Sequence, residues 1–80
     1  MPSYLVESYL ADSPAAVDAA CEHAQRAAAL GAAVDYVRTT FLPGDETVMH
    51  LFEAPSAEAV RRVLWRASLP HERIVEARLR

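Results

Sequence analysis

Three histidines, eleven aspartates and glutamates and one cysteine are the groups in this 80-residue chain able to move a proton or hold a metal ion. Two of them stand out by their surroundings. Glu7 lies inside SYLVESYL and His50 inside TVMHLFEA, polar residues in runs that otherwise read as buried. A carboxylate beside an imidazole in an apolar cleft can act as a general base or as part of a metal site. Glu7 and His50 are therefore the candidate catalytic pair, provided their strands are neighbours and both side chains share a face. Pleat parity alone does not fix that face. The plainer alternative pairs Glu7 with Arg38 and leaves His50 as a satisfied interface residue. Tyr9, Tyr36, Arg38 and Phe52 are the candidate ligand-binding residues of the same cleft, with Arg38 or Tyr36 placed to hold an oxyanion. Aromatic residues on a sheet face are more often packing than ligand boxes.

His50, Glu7 and His23 are the candidate metal ligands. His23 sits at the edge of a helical apolar stripe, beside Asp18 and Glu22. Asp18 and Glu22 share a helix face at i,i+4, whereas His23 is turned one step away, a poor arrangement for three ligands on one ion. A solvated helix face is the simpler reading of these charges. Cys21 falls inside the stripe and reads as a small, inert core residue. The cluster Arg61, Arg62, Trp65 and Arg66 could bring a guanidinium onto the indole at i,i+4 spacing and form a contact surface. The chain contains no Gly-rich phosphate loop, paired-cysteine signature, HExxH or nucleophile elbow.

The elements that would position these groups are legible from pattern. Ser3–Leu10, Ala33–Leu42, Thr47–Ala54 and Arg73–Leu79 are rich in β-formers and read as strands. Asp12-Ser13-Pro14 opens a helix, since a serine or aspartate side chain accepts from the orphan amides and proline suits the first helical position. Val17, Ala20, Cys21, Ala24 and Ala28 form its apolar stripe, and Gly31 stops it. So alanine-rich a stripe predicts a helix packed close to its sheet. Pro43-Gly44-Asp45-Glu46 is a turn between two strands, hence an antiparallel hairpin. Ser56 caps a second helix with Val60, Val63, Leu64 and Ala67 inward, ended at Leu69-Pro70. The order βαββαβ predicts a single α+β domain of ferredoxin-like type over residues 1–80. Its four-stranded antiparallel sheet carries both helices on one face.

Composition bounds what the domain can do. So short a chain buries only about 60% of its unfolded surface. With 52% of its residues hydrophobic, some apolar surface is expected to be covered by a second copy. The bare sheet face is the natural homodimer interface, because an open apolar face is a liability in a monomer. The net charge of −3, with all eight cations arginine, argues against nucleic acid. A lone cysteine forms no internal disulfide, and no run is long enough to span a bilayer, so a cytoplasmic protein without a membrane partner is expected.

The chain also resembles a family of small bacterial proteins, domain of unknown function 4242, described as nickel-responsive or nickel-binding. The likeness runs from Ser3 to Arg78. It is carried by Tyr4-Leu5-Val6-Glu7, Val34-Asp35-Tyr36-Val37, Glu53-Ala54-Pro55-Ser56, and Leu69-Pro70 followed by Arg73-Ile74. The resemblance implies a dimeric ferredoxin-like fold and metal binding, Ni2+ first. It fixes no ligand set. The family often has cysteine where this chain has His50, and a small or polar residue where this chain has Trp65. Imidazole suits nickel as well as thiolate does. Three functions follow as expectations: a nickel-binding protein; a cofactor-independent isomerase, cyclase or monooxygenase acting on a small molecule in the sheet cleft of a dimer; and an interaction module built on Trp65.

Overall fold

Ser13 and Ser56 each hold an extended backbone and turn a hydroxyl onto the amide three residues ahead. Ser13 Oγ accepts from the Ala16 amide at 3.3 Å and Ser56 Oγ from the Ala59 amide at 3.2 Å. Each bond satisfies an orphan donor and starts a helix. The computed structural model describes residues 1–80. In chain order it contains β1 (Ser3–Tyr9), α1 (Pro14–Ala29), β2 (Asp35–Leu42), a 3₁₀ turn (Pro43–Asp45), β3 (Thr47–Glu53), α2 (Ala57–Arg66) and β4 (Arg73–Ala77). The strands form one antiparallel sheet in the order β2-β3-β1-β4. This is the ferredoxin-like α+β arrangement that the sequence predicts, with β1 and β3 central.

The register separates the faces. Tyr4, Val6 and Ser8 of β1 lie opposite Phe52, His50 and Val48 of β3. These residues face the helices. Tyr4, Val6, Phe52 and Ala54 join Ala24 and Ala28 of α1 and Val60, Val63 and Leu64 of α2 in one buried core, closed by Val34 and Leu69. Leu5, Glu7 and Tyr9 lie opposite Leu51, Met49 and Thr47 on the bare face.

Three details depart from the sequence reading. Gly31 ends α1 without a positive φ. A Cβ there would lie 2.6 Å from Val63 Cγ1, so the glycine lets the end of α1 approach α2. Residues 33 and 34 precede β2 rather than belonging to it, and Val34 turns into the core. Glu46 closes the β2–β3 connection with φ 47°, a left-handed backbone in a non-glycine residue.

Candidate functional site

His50 is the largest polar side chain sealed into the core, at 1% exposure. An imidazole there must be hydrogen-bonded. Its Nδ1 lies 2.8 Å from Thr39 Oγ1, and Thr39 Oγ1 lies 2.6 Å from Tyr36 Oη. Register explains this chain of three. Thr39 is the cross-strand neighbour of His50 and Tyr36 that of Phe52. In an even pleat Tyr36 and Thr39 would point to opposite faces. A β-bulge at Val37 adds one residue between Tyr36 and Arg38, reverses the parity, and brings both hydroxyls to the helix side.

The second ring nitrogen of His50, Nε2, has no partner in the protein. No buried polar side-chain atom is both sealed and unbonded, so Nε2 reaches open space. That space is a cavity of about 330 Å³ between the first half of α1 and the sheet. Ala16, Ala19, Ala20 and His23 form its helix wall, Val48 and His50 its floor, and Ser8, Leu10 and Leu69-Pro70 its rim. The cavity exists because alanine is small. α1 buries Ala24, Ala27 and Ala28 against its neighbours, but Val17, Ala20 and Cys21 stay only half-buried. Close packing along the whole stripe is therefore corrected: the second half of α1 packs down and the first half stands off.

His23 faces the same cavity and is anchored as firmly. Its Nε2–H donates to the Ala67 carbonyl at 2.8 Å, tying α1 to the end of α2. In the neutral ring this leaves Nδ1 with a free lone pair. The two imidazoles feel each other. Burial, and after it the charge of His23, push His50 down to about 4 from an ordinary 6.5, so His50 is neutral at pH 7.

The structure does not bring the Glu7–His50 pair together. Val6 is the partner of His50 and Met49 that of Glu7, so the carboxylate and the imidazole lie on opposite faces. Glu7 is bridged on the bare face by Arg73 at 3.3 Å, not by Arg38. A site combining His50, Glu7 and His23 is not formed, and no three His, Cys, Asp or Glu side chains converge anywhere in the chain. The four ligand-binding candidates are divided too. Tyr36 and Phe52 meet edge to face on the helix side, their ring centroids 6.0 Å apart, whereas Tyr9 and Arg38 lie on the bare face. Thr39 is the residue that sequence reasoning missed, because a Tyr-x-x-Thr spacing in a strand gives no hint of a bulge without a glycine to mark it.

Trp65 is 82% exposed. Arg61 turns from it to Glu58 at 2.7 Å, and Arg66 donates to the Leu30 carbonyl at 3.2 Å. All residues around this indole belong to α2, so the patch has a floor and no walls. No helix is long and apolar enough to cross a membrane.

The element order and strand order define a small ferredoxin-like α+β protein with a histidine-lined cavity under its first helix. The chain belongs to the family described as "Nickel responsive protein SCO4226-like", whose model matches residues 4–77. Among solved structures it is similar to SCO4226 from Streptomyces coelicolor A3(2), with 26% identity and a TM-score of 0.76 over 98% of each chain. No curated protein matches it.

Proposed function

We propose that this protein binds a divalent first-row metal ion, nickel by its kinship, on the His50 and His23 imidazoles. One observation supports the reading above others. Two imidazoles line one cavity, each with one ring nitrogen held by an oxygen and the other without a protein partner. Ligating histidines are oriented in this way: the far N–H donates to a carbonyl or hydroxyl, which fixes the tautomer and presents the other lone pair. His50 Nδ1–H donating to Thr39, and Thr39 O–H to Tyr36, leaves Nε2 as donor to the ion. His23 Nε2–H donating to Ala67 leaves Nδ1. Imidazole nitrogen is a donor type that nickel accepts. Because no third ligating side chain converges there, water would fill the remaining positions, and modest affinity follows. A bound ion would supply a Lewis-acidic centre on the cavity wall. The family name supports nickel as the ion. Exposed Tyr9 and Val75 on the bare face support the homodimer as the form in solution, which sedimentation would test.

Calorimetric titration of chelator-treated protein with nickel checks the metal reading. Binding is expected with Kd below about 100 µM, or about −5.5 kcal/mol. His50→Phe should abolish it. Thr39→Val, which removes the group orienting His50, should weaken it by about 10–100-fold. Undetectable binding, or unchanged binding in His50→Phe, would sink the proposal.

A further inference from the structure

The walls of the His50 cavity say something that the metal reading does not use. Apart from His23, His50 and Ser8, every lining residue is apolar, among them Leu10, Val48, Leu69 and three alanines of α1. No arginine and no carboxylate reaches it. A cation would lose its hydration there and meet no carboxylate, and an anion would lose its hydration and meet no arginine. An apolar ligand would lose water at a gain. The volume, about 330 Å³, is at the lower end of the roughly 300–1,000 Å³ of small-molecule sites.

The polar demand of the cavity is equally specific. His50 is 1% exposed, yet its Nε2 has no protein partner and reaches this space. The nitrogen opens onto this space, where a hydroxyl or carbonyl group of a ligand can bond it. The Tyr36–Thr39–His50 chain lets it serve either way. With Tyr36 O–H donating to Thr39 and Thr39 O–H to Nδ1, Nε2 carries the proton and donates to a carbonyl. With the chain reversed, Nε2 accepts from a hydroxyl.

We infer that this cavity is a binding site for a small, uncharged, mostly apolar organic molecule with one hydroxyl or carbonyl group, bonded to His50 Nε2. The inference goes beyond nickel binding and holds for the metal-free protein. Tyr36 and Thr39 act in it as positioning residues, because they touch His50 and not the ligand.

Metal-free protein titrated with phenol and with cyclohexanol, read by NMR of the imidazole nitrogens, tests it. Both probes should bind with Kd of about 1 mM or tighter, some −4 kcal/mol, and move the His50 Nε2 resonance. Benzoate and benzylammonium should bind at least ten-fold more weakly. Ala20→Leu, which fills the cavity, should remove binding, and Ala16→Leu serves if that variant does not fold. Tyr9→Ser, on the other face, should leave binding unchanged. No His50 shift with either neutral probe, equal binding of benzoate, or full binding by a folded cavity-filled variant would overturn the inference. The nickel titration is read apart. Protein that takes phenol and refuses nickel keeps this site and loses the metal, and the opposite pair of results does the reverse.

Discussion

Phe52 and His50 stand two residues apart on β3, face the same helix layer, and meet opposite surroundings. Phe52 is wholly sealed in the core cluster that holds Val60, Val63 and Leu64 of α2. His50 is sealed at its Nδ1 edge by Thr39 and open at Nε2 to the gap beneath Ala16, Ala19 and Ala20. Branched aliphatic side chains on one helix fill their half of the layer. Alanines on the first half of the other leave theirs empty. The lesson is that one sheet face can carry a structural core and a candidate ligand site side by side, and the sizes of the opposing helix residues decide which is which.

Breaking the sealed half should cost most. Phe52→Ala is expected to remove about 3–5 kcal/mol, the range for emptying an aromatic site in a core. That is a large part of the stability of a domain this small. Urea denaturation measures it, and a loss under about 1 kcal/mol would show that α2 does not close the core as described.

The half-open side should respond to pH where the sealed side does not. The His50 value is about 4 in the fold and 6.5 in the unfolded chain, so the unfolded chain takes up the proton first. The stability held by neutral His50 is therefore fully present above pH 6.5 and is lost as pH falls toward 4. The total is about 3 kcal/mol, at about 1.4 kcal/mol per unit. Denaturation curves between pH 7 and 4 should show the slope, and His50→Leu should flatten it. An unchanged slope in the variant would assign the acid sensitivity elsewhere.

Two alanines one helical turn apart sharpen the comparison. Ala24 is fully buried and Ala20 borders the cavity. Ala24→Leu should overpack the core and cost about 1–3 kcal/mol. Ala20→Leu should cost less than about 1 kcal/mol, because its added carbons enter existing space. Equal melting-temperature losses would mean that the gap closes in solution. The smallest effect belongs to the bare face. Removing the Glu7–Arg73 bridge with Glu7→Gln should change stability by at most about 1 kcal/mol, since Arg73 is exposed and salt screens the pair.

Much of the frame was legible in local sequence. Ser13-Pro14 and Ser56 mark helix starts because capping uses only a side chain and an amide three residues away. The Pro43–Glu46 cluster marks the hairpin for the same reason. The candidate site was half legible. His50 stands out in the sequence as a polar residue in an apolar strand, and His23 as an edge residue of a helix stripe. Their meeting at one cavity was not legible, because it joins a helix to a strand about 27 positions away, and neither residue carries a pattern that names the other.

By itself the sequence determined the order of elements, their caps and turns, and the class of fold, since all of these follow from hydrogen bonds and side-chain alternation within short stretches of chain. Tertiary structure alone decided the faces. A single bulged residue at Val37 turned Tyr36 and Thr39 toward His50, and the pairing of β1 with β3 set Glu7 on the far side of the sheet. Alternation has a period of two, so a shift of one residue exchanges the buried and open faces, and only the neighbouring strand fixes that shift.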